Sequence, residues 1–310
     1  MKSLLILPKI VVENANAIAG LTYGFPGICN FTGFTHALSR ELKDRGVELG
    51  GCAVVCHRFK VHAHEVGGFY KSFSQSRFPL NEKGKTAPII QEGKMHMTVS
   101  LIISCNFTAE DLDFGTMNVI DDRLEFEKFI QESVYKKTLA GGFIKDLKRP
   151  KFIEIASEEF SLKKELRKLL PGFLIKDRSD DFKKYLESED KNDPLTSWLG
   201  CFTMRHKSQK SFENEVEKCD WSVEKKPLPG WIVPVQIGYK SLSKVFAAGE
   251  VKYSRDISTP FCFVEPIYSI AEWISPHRVE DIEDLKSLFW DFCTAKNYYY
   301  CKSKKFKNQG

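Results

Sequence analysis

Two carboxamides near the amino terminus, Asn14 and Asn16, have the residue type and the spacing to hold a polar ligand. They follow an apolar run and precede a glycine and proline cluster, after which an amphipathic segment opens with small residues. Each carboxamide offers a donor and an acceptor to a base edge, and the first turn of a helix presents free N–H groups to a phosphate. This combination fits a nucleic acid better than a metabolite.

A second group with chemical potential is His57 with Arg58, at the expected end of a strand. Such a pair can bind phosphate, or it can supply general acid and base catalysis for RNA cleavage without a metal. Cys52 and Cys56 precede the pair at a spacing that structural zinc sites rarely use, which favours buried thiols. The sequence contains no phosphate loop, zinc-binding helix or nucleophile elbow, so we expect no catalytic residue, metal or cofactor.

The segment from Gly67 to Gly93 mixes basic and aromatic residues, among them Tyr70, Arg77 and Phe78, with glycine and serine. It is too long and too polar for a simple hairpin, and we interpret residues of about 60–93 as an insertion. Charge and stacking together can hold a single nucleic-acid strand, at roughly 1–3 kcal/mol for each stacked base. The alternative, that the aromatic residues only anchor a long loop, stays open.

The elements that must position these residues follow from hydrophobic periodicity. The pattern predicts strands at Leu4–Val12, Val47–Phe59, Lys94–Cys105 and Phe152–Ala156, and helices at Phe31–Arg45 and Asp121–Thr138. Their order, β-α-β-β-α-β, is that of an α+β, ferredoxin-like fold, in which an antiparallel sheet carries two helices on one face. RNA-recognition modules bind RNA on the other, free face.

The remainder of the chain predicts a different organisation. Residues 176–226 are rich in both acids and lysines and indicate a helical insertion, after which strand and turn signals return near Pro229 and Pro260. We therefore expect a ferredoxin-like domain at residues 1–160. Residues 161–310 are expected to hold the helical insertion, a second β-containing subdomain and a basic tail.

Composition limits the class of protein further. The formal net charge is +5, but five lysines lie in the last fifteen residues without an acid, so the first 295 residues are balanced. A uniform basic coat for nucleic acid is absent, and polyanions must be met by local patches or by partner subunits. Nine cysteines in apolar contexts favour reduced thiols and a cytoplasmic location. The sequence shows neither a signal peptide nor a membrane span.

A series of short motifs extends in one order along most of the chain. It comprises Asn14-Ala-Asn16-Ala17, Gly24-Phe-Pro26, Gly33-Phe-Thr-His36-Ala37-Leu38, Cys56-His57-Arg58-Phe59, Leu139-Ala-Gly141-Gly142, Leu170-Pro-Gly172-Phe173, Pro229-Gly230-Trp231, Gly238-Tyr239, Gly249-Glu250-Val251, Arg255-Asp256, Phe263-Val264-Glu265 and Glu272-Trp273-Ile-Ser275-Pro276-His277-Arg278. The series resembles the Csy-type subunit that holds the 5′ handle of the guide RNA in the type I-F CRISPR surveillance complex, within the RAMP superfamily.

The resemblance implies a noncatalytic, crRNA-binding subunit that acts in antiviral defence. Its partners would be the 5′ handle of the crRNA, the large subunit, the repeated backbone subunits and, through the assembled complex, target double-stranded DNA. Asn14 and Asn16 would contact bases or sugar, the helix start would contact phosphate, and Tyr23 or Phe25 would stack. The expected RNA contacts are Asn14, Asn16, Tyr23, Phe25, Thr32, His36, His57, Arg58, Arg77, Arg149, Arg255 and Arg278.

A second reading comes from a different class of protein. Some relatives in the wider superfamily cleave guide precursors with histidine or tyrosine chemistry and without a metal. In this chain His57, His36 and Tyr23 would be the acid and base candidates. The alternative function is therefore a metal-independent endoribonuclease that processes guide-RNA precursor.

Overall fold

The structure is a computed structural model that describes residues 1–68, 70–115, 118–157, 160–188, 193–213, 216–254 and 256–303, with backbone alone within 210–218. The helices are α1 (Ile28–Leu42), α2 (Val119–Tyr135), α3 (Leu162–Arg167), α4 (Ser179–Ser188), α5 (Pro194–Gly200) and α6 (Ile282–Lys286). The strands are β1 (Ser3–Asn16), β2 (Ile18–Ala19), β3 (Thr22–Tyr23), β4 (Leu49–Val61), β5 (Ala63–Val66), β6 (Tyr70–Ser76), β7 (Ile90–Glu92), β8 (Lys94–Cys105), β9 (Thr138–Leu139), β10 (Gly142–Asp146), β11 (Lys151–Glu154), β12 (Phe173–Asp177), β13 (His206–Glu213), β14 (Val216–Val223), β15 (Ile232–Ser241), β16 (Val264–Ile274), β17 (Trp290–Ala295) and β18 (Tyr298–Ser303).

An eleven-stranded antiparallel sheet dominates the chain, and the helices are few and mostly short. The prediction of a mixed α and β fold is confirmed. All six elements predicted for the first half are present: β1, α1, β4, β8, α2 and β11, with the first helix starting three residues earlier than expected. Within the sheet the four strands of this half are neighbours in the order β11, β1, β8, β4.

One face of this sheet packs against the two longest helices. The spacing of apolar residues on α1 puts Phe31, Phe34 and Leu38 on one side, and α2 adds Phe126 and Ile130. These side chains are buried in one cluster with alternate residues of β1, β4 and β8. Because successive strand residues point to opposite faces, the intervening residues of the three strands face away from α1 and α2.

The expectation that this second face is free is wrong over part of its length. Leu4 of β1 and Ile102 of β8 are buried there, together with Leu166 of α3 and Leu285 of α6. The strands are apolar on both sides at these positions, so both faces need cover. The face becomes polar only further along, where β8 carries Lys94–Thr98 with polar residues at alternate positions.

The carboxyl-terminal strands continue this sheet. Strand β4 pairs with β17, and the pairings then run through β18, β15, β16 and β12 back to β4. These six strands form a closed ring of pairings. Trp290 of β17 is fully buried, and its indole N–H donates to the Ile175 carbonyl oxygen of β12 at 3.0 Å. The core that lies under α1 therefore includes residues from both halves of the chain.

Two insertions leave the main sheet. Strands β5, β6 and β7 form a small sheet within residues 60–93, where an insertion is expected. Residues 176–226 are helical only in their first part, at α4 and α5, because β13 and β14 pair as a long hairpin. The prediction of a helical insertion is therefore wrong for that second part. Among the described residues, no helix has the length and apolar character that a membrane crossing requires.

Candidate nucleic-acid interface

The polar part of the second sheet face brings several of the expected residues together. Arg58 of β4 lies opposite Thr98 of β8, Lys60 lies opposite His96, and Asn16 of β1 lies opposite Lys94. Directly paired residues of antiparallel strands point to the same face. We call this set the polar strip; its members are Asn14, Asn16, Arg58, Lys60, His62, Lys94, His96 and Thr98.

Asn14 and Asn16 lie at the end of β1, and both are exposed. The backbone N–H of Asn14 donates to His96 Nδ1 at 3.2 Å, and Asn16 Oδ1 accepts from Lys94 Nζ at 3.2 Å. Asn14 has φ 56°, in the left-handed region that asparagine and glycine adopt more readily than other residues. The two carboxamides are therefore held beside basic groups of β8, with the Asn14 side chain open to solvent.

Two imidazoles stack edge to face in the strip. The rings of His62 and His96 have centroids 4.2 Å apart. Burial lowers the pKa of His62, and the nearby His96 and Lys60 lower it further. His62 is thus neutral at neutral pH and gains its positive charge only in more acidic solution.

The permanent charges of the strip have one sign. Arg58 and Lys60 are exposed, and Lys94 is half-buried. None of the three forms an ion pair with a carboxylate anywhere in the described ranges. Glu13, which lies near His96, is already paired with Lys145 at 2.6 Å, so the three unpaired cations make a local positive field in a chain whose body is close to neutral. A polyanion with exposed bases is the ligand that suits this field and the two carboxamides.

His57 lies beside the strip but is already engaged on both ring nitrogens. Nδ1 lies 2.7 Å from the Pro171 carbonyl oxygen and 2.8 Å from Lys9 Nζ, and Nε2 lies 2.6 Å from Ser100 Oγ, so each ring nitrogen has a polar partner in either tautomer. The Ser100 hydroxyl accepts in turn from the backbone N–H of Lys9 at 2.8 Å. Burial lowers the pKa of His57; the contact with the Pro171 carbonyl oxygen opposes this effect, and the Lys9 ammonium adds to it. This network ties the His57 ring to the packing of β8 and of the turn before β12, which favours a structural role for the residue.

The first turns of α1 are less exposed than expected. A Cβ added to Gly27, the residue before the helix, would lie 2.5 Å from Gln236 Oε1, so the buried Gln236 side chain of β15 covers this end. Thr32 is only 5% exposed, and its hydroxyl contacts Cys301 Sγ at 3.1 Å. Thr32 is therefore not accessible to a phosphate in this structure, and Gln236 packs against the residue before the helix. Strands β15 and β18, far along the sequence, supply the residues that bury them.

A cavity of about 520 Å³ opens beside Arg58, and we call it the aromatic cavity. Tyr23 is 62% exposed at its edge, whereas Phe25 is half-buried between Phe31 and Trp273, at centroid distances of 5.5 and 5.2 Å. The lining residues are Thr22, Tyr23, Gly24, Phe25, Pro26, Cys56, His57, Arg58, Phe59, Phe173, Ile175, Trp231, Val233, Pro234, Val235, Gln236 and Trp273.

The other predicted residues lie elsewhere. Exposed His36 stacks on Phe292 at 5.4 Å and lines a separate small cavity with Trp290. Arg149 forms an ion pair with Glu127 at 3.2 Å. The strip contains none of His36, Arg77, Arg149 or Arg278.

Arg278 forms an ion pair with the buried Glu272 at 3.5 Å, and Arg77 is exposed directly after β6. Arg255 and the tail beyond residue 303 lie outside the described residues. Lys302, just before that limit, donates to Asp180 at 2.8 Å.

Sequence reasoning missed Lys94 and His96 as partners of the carboxamides, and Lys60 as their neighbour on the same face. The sequence did contain an indication of them. Lys94-Met95-His96-Met97-Thr98 alternates strictly between polar and apolar residues, which is typical of a strand with one solvent-exposed face. Phe173 and Trp231 were noted only as parts of motifs. Their side chains meet in space across β12 and the segment before β15, which no local pattern indicates.

The comparisons with known proteins place the chain in a class, the CRISPR-associated proteins. A family model described as CRISPR-associated protein (Cas_Csy2) matches residues 5–301. The CRISPR-associated protein Csy2 of Pseudomonas aeruginosa (strain UCBPP-PA14) is 34% identical over 303 residues, which cover 92% of this chain and 90% of that protein. The chain therefore belongs to the Csy2 family, the type I-F Csy subunits of CRISPR antiviral defence, as the motif series predicted.

Proposed function

We propose that this protein is a noncatalytic subunit of a type I-F RNA-guided surveillance complex that binds the 5′ handle of the crRNA together with the large subunit. Membership of the Csy2 family is the observation that carries the proposal. The polar strip supports it, because amide groups beside unpaired cations can contact base edges and phosphates at once. We place Asn14, Asn16 and Arg58 at the centre of the RNA contact.

We also infer that residues of the first half form a ferredoxin-like domain of the RAMP type. The neighbour order β11, β1, β8, β4, with α1 and α2 on one face, supports this inference. RNA would lie on the opposite face only where that face is polar. The apolar part of the same face is already packed against α3 and α6.

The noncatalytic role is part of the proposal. His57 has both ring nitrogens engaged, and His36 lines a different cavity from Tyr23. The endoribonuclease reading needs a free acid and base close to one phosphate. His57 and Tyr23 line the same cavity, but the His57 ring is held by Ser100 and Pro171, so we favour binding over cleavage.

The assembled complex supplies the remaining partners of this proposal. Repeated backbone subunits would extend along the guide, and target double-stranded DNA would be met through the whole assembly in the cytoplasm. The charge of this chain is nearly balanced outside its last fifteen residues, and one short basic strip neutralises few phosphates. Other subunits would therefore have to supply most of the cations that bind the guide.

The test is reconstitution of the chain with the large subunit and an RNA that carries the repeat-derived 5′ handle. We expect a stoichiometric ternary complex with uncut RNA by size-exclusion chromatography and gel analysis. The variant Asn14→Gly plus Asn16→Ala should lower handle affinity about tenfold, since roughly two base or sugar contacts are lost. Glycine keeps the positive φ of position 14, so the backbone of β1 is not strained.

Asn297→Ala is the matched control, because this carboxamide is also exposed but lies in the turn between β17 and β18. An unchanged handle affinity in the double variant would overturn the site assignment. Cleavage of the RNA by the isolated chain in chelator, lost in His57→Ala, would instead establish the endoribonuclease.

A further inference from the structure

The aromatic cavity is lined by aromatic side chains, which the polar strip lacks. Its exposed rim carries Tyr23, Phe59, Phe173 and Trp231, and the half-buried Trp273 lies deeper. Exposed aromatic side chains on one opening are costly to leave in water, since they are large and apolar. Its volume of about 520 Å³ lies within the range of roughly 300–1,000 Å³ that small-molecule sites occupy. The opening therefore has the size and lining of a ligand site.

The geometry of the rings leaves flat surfaces for a planar group. Phe173 and Trp231 meet edge to face, with centroids 5.3 Å apart and planes at 76°. An edge-to-face pair leaves one ring face uncovered, and 57% of Trp231 is exposed. A planar heteroaromatic ring can stack on such a face.

The polar groups of the cavity indicate the charge of its ligand. Its described lining contains Arg58 and no aspartate or glutamate. Gln236, which is 4% exposed, adds a carboxamide at the buried end. A planar base needs hydrogen-bonding partners and apolar walls, and its attached phosphate needs a cation without nearby acids. These are the groups that the cavity offers.

Arg58 joins the cavity to the strip. It lines the cavity, and it also lies opposite Thr98 on the polar strip. A nucleic-acid backbone that follows the strip would thus pass the cavity at Arg58. A base of that strand can turn into the cavity while its phosphate stays on the guanidinium.

We propose that the aromatic cavity binds one unstacked base of the bound guide RNA, with Arg58 on the adjacent phosphate. This inference rests on the proposed function, because it takes the ligand of the strip to be the handle. A protein side chain from the large subunit is the competing occupant. It accounts for the aromatic walls but not for the unpaired arginine at the junction with the strip.

The experiment uses the ternary complex with handle RNAs that carry 2-aminopurine at one position each. We expect strong quenching at one handle position, because stacking on an aromatic ring quenches this base. Trp231→Ala should relieve the quenching and weaken handle binding about 30-fold, the middle of the range for one stacked base. Trp231→Phe should restore most of the affinity, since it keeps an aromatic face.

Trp221→Ala is the matched control. Trp221 is 67% exposed on β14, comparable with Trp231, but it is not part of the cavity lining. The control should bind RNA as the unchanged protein does. Both tryptophans are exposed, so neither substitution should prevent folding, and circular dichroism checks this.

The outcomes separate the two proposals. If the unchanged protein fails to bind the handle with the large subunit, the proposed function fails. If it binds but no position is quenched, and Trp231→Ala binds equally well, only the cavity inference fails. Protection of Trp231 from acrylamide by the large subunit alone, with no change when RNA is added, would assign the cavity to a protein side chain and overturn the inference.

Discussion

The His57 imidazole lies beside the polar strip and contacts Ser100 and Pro171. Its protonation should affect the stability of the fold. Because the pKa of His57 is lowered by burial, the unfolded chain binds a proton near pH 6.5 while the folded chain does not. The free energy of unfolding should therefore be independent of this group above pH 6.5 and should fall as the solution becomes more acidic. Urea unfolding at several pH values measures the effect.

His57→Gln should flatten this part of the pH dependence, although it also costs stability at every pH by breaking the network with Ser100 and Pro171. His277→Gln is the control, since His277 is exposed in the turn that follows β16. Equal pH slopes for the His57 variant and the unchanged protein would contradict the prediction.

Protonation of His62 should act on binding instead. A charged His62 adds a cation to the strip, so handle affinity should rise about twofold to fivefold as the pH falls from about 7.5 to about 5.5. The gain should appear only well into that range, because the pKa of His62 is lowered. Fluorescence anisotropy of the complex measures it. His62→Gln should abolish the gain; a gain that persists would assign it to another group.

Local sequence patterns predict some properties of single residues and not others. Asn14, Asn16 and Arg58 were selected from the sequence by residue type and by their position at or after a predicted strand end, which are local properties, and their contact with RNA stays a prediction. Thr32 was misplaced because the atom that contacts it belongs to Cys301, which no pattern near the helix reveals. The partners of a side chain set its accessibility, and those partners are distant in sequence here.

Strand β17 supplies the next prediction, since Trp290 fills the interior of the closed ring. Trp290→Ala should lower the free energy of unfolding by about 3–5 kcal/mol, through the cavity it leaves and the lost bond to the Ile175 carbonyl. Denaturant unfolding measures the change. Trp221→Ala should cost less than about 0.5 kcal/mol, because that side chain is exposed. Equal losses in the free energy of unfolding for the two variants would contradict a stabilising role of Trp290 in the interior of the ring.

Elements with strong periodicity were predictable, and those defined by pairing were not. The six elements of the first half follow from local apolar spacing and were placed within a few residues. The ring was not foreseen, because β4 pairs with β17 across most of the chain. The β13–β14 hairpin was taken for helix, since a ribbon without a main-sheet partner gives little burial pattern and its sequence is dominated by charge.

The basic residues of the polar strip should make the affinity for RNA depend on the salt concentration. Binding to a single strand loses affinity with salt at a log–log slope of about 0.7 for each neutralised phosphate. Substituting Arg58, Lys60 and Lys94 together by glutamine should therefore reduce the slope of the ternary complex by about 2. Titrations at several potassium chloride concentrations measure it.

Lys183→Gln, on the exposed side of α4, is the control and should leave the salt slope unchanged. A triple variant with lower affinity but an unaltered slope would mean that these cations act by shaping the site rather than by neutralising phosphate.

The closed ring also has a consequence for synthesis on the ribosome. Strand β18 lies between β15 and β17 and is the last described strand to be made. Until residue 303 has left the exit tunnel, β15 and β17 each have an unpaired edge, and such edges invite aggregation. We therefore expect the nascent chain to be prone to aggregation late in translation, until β18 pairs with both of these strands.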